Sequence, residues 1–242
     1  NLEFWVDERE GDILLQPRLP DAEKLYIEAT TGCNLQCATC IRNVWSDPDT
    51  EMDSDTFSRI LEGLDGLPNL KRVVFTSFGE PLSHPGILEM IAAVRQRGLA
   101  VTLGSNGLLL RPEISRELVR LGVDRVMVSI DGGSPQAYEQ IRGASLSPVI
   151  ENLLALSAAK REMKALFPTL GIESVILKSN VHLLTRIAIM AAELNASKLL
   201  VSNVLAYTEM MYREAHYGHE PQEAMRVDVW PTQGRASCRE RV

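Results

Sequence analysis

From Lys24 onward, short β-branched runs alternate with longer segments in which apolar residues recur every three or four positions. Such alternation is the signature of βα units. A strand covered on both faces reads as an unbroken apolar run, whereas its crossover helix buries one face only. The runs predict strands over residues 25–29, 72–76, 100–103, 125–129, 171–177 and 198–201. The segments between them predict helices over residues 53–64, 85–97, 112–121, 149–166 and 183–194. Asp53 or Ser54 suits the N-cap of the first helix, and Gly98 and Gly122 suit the positions just past the second and third. Six strands with five crossovers are compatible with a partial barrel or an open doubly wound sheet. Right-handed crossovers favour a shell that curls. Residues 1–23 are expected to be an N-terminal extension, with Gly11-Asp12 as the turn of a short hairpin. Residues 24–203 form the core, and residues 204–242 a polar tail rich in Tyr, Met and His.

Composition narrows the class. Apolar residues make up 45% and charged residues 24% of the 242, enough to bury a core without disulfide staples. A net charge of −7 argues against nucleic acid and anionic membranes as partners, since both select basic surfaces. No run of apolar residues is long enough to span a bilayer, and the acidic start, Asn1 to Asp7, lacks the basic and apolar regions of a signal peptide. Three of the four cysteines, Cys33, Cys37 and Cys40, fall within eight residues. Crowded this way they cannot easily pair with one another, and Cys238 can oxidise with only one of them. Metal ligation in a reducing cytoplasm is the expected use.

In parallel α/β folds, functional groups collect at the C-terminal ends of the strands. Those positions here read Thr30-Thr31-Gly32-Cys33, Ser77-Phe78-Gly79-Glu80-Pro81, Gly104-Ser105-Asn106-Gly107, Ser129-Ile130-Asp131-Gly132, Lys178-Ser179-Asn180 and Ser202-Asn203. Cys, Glu, Asn, Asp and Lys thus converge on one rim. The C-x-x-x-C-x-x-C spacing suits an iron–sulfur or zinc centre. A [4Fe–4S] cluster generally takes four cysteines, so three leave one iron open, and the second C-x-x-C arm of a zinc ribbon is missing. Taken singly, Asn106-Gly107 and Asp131-Gly132 also read as turns, Glu80 as a helix cap, and Arg142 as a solvated helix-end cation.

Cys33-Asn34-Leu35-Gln36-Cys37-Ala38-Thr39-Cys40 resembles the signature of the radical S-adenosylmethionine superfamily. Gly79-Glu80-Pro81 is similar to that family's G-G-E-P segment, Ser105-Asn106-Gly107 to its T-N-G segment, and Ser129-Ile130-Asp131 to its S-x-D element. The resemblance spans residues 24–203 and implies an α/β fold of the partial (β/α)6 TIM-type barrel. It implies a [4Fe–4S] cluster on Cys33, Cys37 and Cys40, and reductive cleavage of S-adenosylmethionine to a 5′-deoxyadenosyl radical. Gly79 and Glu80 would meet the methionine amino group, Ser129 and Asp131 the ribose and carboxylate, with Ser105, Asn106, Arg142 and Lys178 also contacting cofactor. Substrate groups would enter near Lys178, Asn180 and Asn203. Two departures stand out: Phe78 replaces the first glycine of G-G-E-P, and Thr39 takes a place where an aromatic commonly meets adenine.

Residues 40–45, 75–81 and 201–210 further resemble the maturases of tungsten-cofactor oxidoreductases, relatives of enzymes with a C-terminal auxiliary-cluster domain. The implied partners are a peptide, protein or cofactor-precursor substrate and a ferredoxin- or flavodoxin-like reductant. Cys238 is either the first ligand of an auxiliary centre or a free thiol. A molybdopterin-type cyclase, a non-catalytic iron–sulfur carrier and a zinc-stabilised module are the competing readings.

Overall fold

The computed structural model describes residues 2–6, 13–17 and 22–216. Cys238 lies outside the described residues, as does the Gly11-Asp12 turn signal. Strands β1 (Leu2–Val6) and β2 (Ile13–Pro17) pair antiparallel, Phe4 opposite Leu15, as the expected hairpin.

Six further strands form one parallel sheet in strict chain order: β3 (Lys24–Ile27), β4 (Arg72–Phe75), β5 (Ala100–Ser105), β6 (Arg125–Ser129), β7 (Thr169–Ile176) and β8 (Lys198–Asn203). Among the described residues β3 pairs only with β4 and β8 only with β7, so the sheet does not close on itself. The architecture is the partial barrel that the sequence implies. Helices α1 (Ser54–Gly63), α2 (Ile87–Gln96), α3 (Pro112–Arg120), α4 (Pro135–Arg142), α5 (Ser147–Glu162) and α6 (Leu184–Glu193) supply the crossovers, and α7 (Glu209–Glu214) follows β8. No described helix is long and apolar enough to cross a membrane.

Local chemistry explains the boundaries. Asp53 caps α1 by accepting from the Thr56 N–H at 2.6 Å. Gly98 and Gly122 take positive φ just beyond α2 and α3, as their places in the sequence predict. The fourth predicted helix, over 149–166, differs: α5 starts at Ser147 and ends at Glu162, and Lys164, at φ 50°, turns the chain before residue 166.

The crossover from β6 to β7 holds two helices where the periodicity suggests one. Ser134 caps α4 by accepting from the Ala137 N–H, Pro135 occupies its first turn, and Gly143 closes it at φ 71°.

Alternate residues of each strand face opposite ways. Val73, Phe75, Val101, Leu103, Val126, Val128 and Ile172 belong to a core shared with Ile91, Val94, Leu118, Leu153 and Ile187 of the helices. Full burial of each such side chain stabilises the fold by about 1.5–3 kcal/mol. The opposite face of the strands carries smaller and more polar residues. A Cβ at Gly104 would lie 2.4 Å from Thr76 Oγ1, so glycine leaves room for the Thr76 side chain just past β4. A smaller cluster of Ile141, Leu177, Val204, Met211 and Ala215 packs α7 and its flanks against α4 and the end of β7. The first part of the expected polar tail is therefore anchored to the core.

Candidate functional site

The cysteines occupy the long loop between β3 and α1. Its two limbs are tied together: the Thr31 N–H donates to the Thr50 carbonyl at 3.0 Å, and the Met52 N–H to the Ala29 carbonyl at 2.8 Å. Within the loop, the Cys40 N–H and Asn43 Nδ2 both donate to the Cys37 carbonyl, at 3.0 and 2.8 Å, forming a turn that gathers the thiols. The Ala38 N–H donates to the Ile141 carbonyl at 2.8 Å, pinning the loop to the end of α4.

All three cysteines line a cleft of about 250 Å³ at the C-terminal rim of the sheet. Gly79, Glu80, Ser105, Asn106, Ser129 and Arg142 line it too, from the ends of β4, β5 and β6 and from α4. Among the described residues no three His, Cys, Asp or Glu side chains converge as ligands of a single metal ion. The thiols form a wall. Burial raises the pKa of the Cys33 and Cys37 thiols, and Arg142 opposes it at Cys37.

Side chains from later strands reach the sulfurs. Asn106 Nδ2 donates to Asn34 Oδ1 at 2.7 Å and lies 3.8 Å from Cys33 Sγ. Its Oδ1 accepts from the Leu108 N–H at 3.0 Å, and Ser105 Oγ accepts from the Gly107 N–H at 2.9 Å. The turn reading and the site reading of Ser105-Asn106-Gly107 are one structure. Glu80, 2% exposed, accepts from the Leu82 N–H through Oε1 and from the Asn106 N–H through Oε2. Burial raises its pKa against those hydrogen bonds. It caps the following turn and also braces two strand ends. Gly79 must be glycine: a Cβ there would sit 2.0 Å from the Thr30 carbonyl oxygen. The preceding Phe78 is free of that constraint and rests edge-on against Trp45, with centroids 5.3 Å apart.

The Arg142 side chain is only 12% exposed, so the solvated reading does not hold. Its Nη2 lies 2.6 Å from Asp131 Oδ2, and its Nη1 lies 3.7 Å from Cys37 Sγ. Asp131 is fully buried, and its Oδ1 accepts from the Val175 N–H at 2.7 Å. It stands behind Arg142 and does not line the cleft.

Lys178 also lies off the cleft, because its Nζ donates to the Arg213 carbonyl at 2.8 Å and its N–H to the Glu214 carbonyl. Asn180 is buried: Oδ1 accepts from the Leu177 N–H, and Nδ2 donates to the carbonyls of Asp131 and Val175. Of the three residues expected at the substrate entrance, only Asn203 lines the cleft.

Two titratable lining residues, Glu173 and Tyr207, fall outside the set of site residues expected from the sequence. Glu173 sits mid-strand on β7, opposite Ser129 of β6, and partial burial raises its pKa. Reading only strand ends misses it, although a carboxylate between Ile172 and Ser174 in a strand that reads as largely apolar is itself a signal. Tyr207 belongs to the segment 201–210 that carries the maturase resemblance; it precedes α7 and joins the cleft wall.

Residues 27–174 match the Radical SAM superfamily. A tungsten-containing aldehyde ferredoxin oxidoreductase cofactor-modifying protein of Pyrococcus furiosus is 35% identical over 195 residues, covering 80% of this chain and 54% of that protein. An AdoMet-dependent heme synthase of Methanosarcina barkeri is 34% identical over 170 residues, covering 70% of this chain and 47% of that protein. The chain thus spans about half the length of these curated relatives. Streptococcus suis SuiB bound to S-adenosylmethionine shares the fold, with a TM-score of 0.67 at 15% identity over 90% of this chain and 48% of that one.

Proposed function

The chain belongs to the Radical SAM superfamily, and from that premise we propose that it holds a [4Fe–4S] cluster on Cys33, Cys37 and Cys40 and cleaves S-adenosylmethionine reductively. The observation that carries this reading is the shared cleft: three soft thiol donors face the same space as Glu80, Asn106, Ser129 and Arg142. Three thiolates are one short of the four a [4Fe–4S] centre usually takes, which suits a centre that must also bind a small-molecule ligand. When bound, cluster and sulfonium together supply carbon–sulfur bond cleavage as a source of radical chemistry.

The chain's own residues do the rest. The tied limbs of the cysteine loop hold its ends together, and Asn106 orients the Cys33 segment through Asn34. Glu80 fixes the loops after β4 and β5 relative to each other, and Gly79 brings main chain close to the cysteine loop. Ser129 offers a hydroxyl to the ribose, and Arg142 a planar donor to a carboxylate. The apolar lining residues Leu35, Ile41, Val175, Val204 and Leu205 keep water from the reacting centre.

The substrate in this reading is a cofactor precursor, peptide or protein. Maturation of a tungsten-cofactor oxidoreductase is favoured by the similarity to the Pyrococcus furiosus protein. A ferredoxin- or flavodoxin-like protein is the reductant. Anaerobically reconstituted protein given dithionite and S-adenosylmethionine is expected to release 5′-deoxyadenosine, and Cys37→Ala to abolish release. Cluster-loaded protein that leaves the cofactor intact would make the chain an iron–sulfur carrier instead.

A further inference from the structure

Arg142 makes a contact that cofactor recognition does not require. Its guanidinium is divided between two partners, with Nη2 on Asp131 and Nη1 directed at Cys37 Sγ. The anchor is itself immobilised, since Asp131 Oδ1 accepts from Val175 of β7 and the Asp131 carbonyl accepts from Asn180 Nδ2 at 2.7 Å. The neighbouring Ile141 carbonyl takes the Ala38 N–H, so one helix end addresses the Cys37 segment through main chain and side chain alike. Cys33 differs: the side chain aimed at its sulfur is the neutral amide of Asn106, and Arg42 acts on it as a charge without a hydrogen bond.

We propose that Arg142 is a positioning residue which holds a buried positive charge against the cluster ligand Cys37, with Asp131 as its anchor, and thereby eases reduction of the cluster. The inference rests on the cluster reading above. A hydrogen bond and a cation beside a ligating sulfur stabilise the more negative, reduced cluster, and such contacts are among the main determinants of iron–sulfur potentials. The Asp131 carboxylate weakens this field without cancelling it, because the guanidinium stands between it and the sulfur. An arginine here also resists losing its charge on burial, as lysine would not.

The test is a potentiometric measurement, followed by electron paramagnetic resonance, on the anaerobically reconstituted 242-residue chain without S-adenosylmethionine. Arg142→Gln is expected to shift the reduced-to-oxidised equilibrium about tenfold toward the oxidised cluster, or about 59 mV for one electron. Arg142→Lys is expected to shift it less, keeping the charge but losing the fork. Should Arg142→Gln fail to fold because Asp131 is stranded, the paired variant Asp131→Asn with Arg142→Gln replaces both charges with amides and is expected to shift the same way. Cluster-loaded variants whose equilibrium stays within twofold of wild type overturn the role of Arg142 alone. A wild-type chain that takes up no cluster overturns the functional reading beneath it as well.

Discussion

The Asn106 N–H donates to Glu80 Oε2 at 2.6 Å, so a carboxylate from the end of β4 secures the turn at the end of β5. Its other oxygen accepts from the Leu82 N–H at 3.1 Å. Glu80→Gln replaces one acceptor with an NH₂ group and strands one of these N–H groups. Leaving a buried donor unpaired costs about 1–3 kcal/mol. Because burial already disfavours the charged form, the lower half of that range is expected as a fall in the urea midpoint. An unchanged midpoint would show that the two loops do not depend on the bond.

Gly79 and Phe78 are neighbours with opposite tolerances. Gly79→Ala drives a methyl group into the Thr30 carbonyl and is expected to cost roughly 3 kcal/mol, the top of the usual overpacking range. Phe78→Ala removes only an edge contact with Trp45 and should cost about 1 kcal/mol. Thermal unfolding of the two variants checks the ranking, and equal losses would contradict it.

Asn106→Asp keeps the acceptor for Leu108 but removes the donor to Asn34 and Cys33, adding negative charge beside thiolates. Both changes act in one direction. Retention of iron during a chelator challenge is expected to fall about 10-fold or more, the common effect of removing a group that orients a metal ligand.

Glu173 gives a pH prediction. Burial raises its folded pKa above 4.5, with Lys198 and Arg142 partly opposing. A carboxyl group with a raised folded pKa binds more protons when native, so its contribution to stability is lost as pH rises from near 4.5 through the folded value. Glu173→Gln removes that loss. The variant should match wild type in urea midpoint below this window and exceed it at neutral pH. A constant difference at all pH values would exclude the titration as the cause.

Met211 is fully buried at the junction of α7 with Ile141 and Leu177. Truncation of a buried Met to Ala costs about 2–5 kcal/mol of packing. Since the cluster is small and peripheral, Met211→Ala is expected to release α7 locally, seen as faster tryptic cleavage after Arg213 with little change in global unfolding.

The sequence made the strand ends legible because parallel sheets place chemistry there, and Cys33, Glu80, Asn106 and Ser129 follow that rule. It was less informative where tertiary contacts decide. Asp131 and Lys178 lie at equally well-predicted strand ends, yet one is turned inward by Val175 and Arg142, the other outward by the Arg213 carbonyl. Helix α4 spans eight residues, too short for a periodic pattern, although Ser134-Pro135 at its start and Gly143 at its end are ordinary helix signals. Arg142 is placed at the site by the family resemblance, but without the helix nothing in the sequence turns its side chain toward Cys37.

Among the described residues, the sheet stops at β3 and β8 and so has two margins instead of a seam. A closed barrel of eight strands is filled by its own side chains and admits reactants only from above. Here the circumference is incomplete, and residues such as Gly104 and Ser129 fill little of the hollow. Whatever stands against β3 and β8 therefore limits what can enter, as does the width of the mouth.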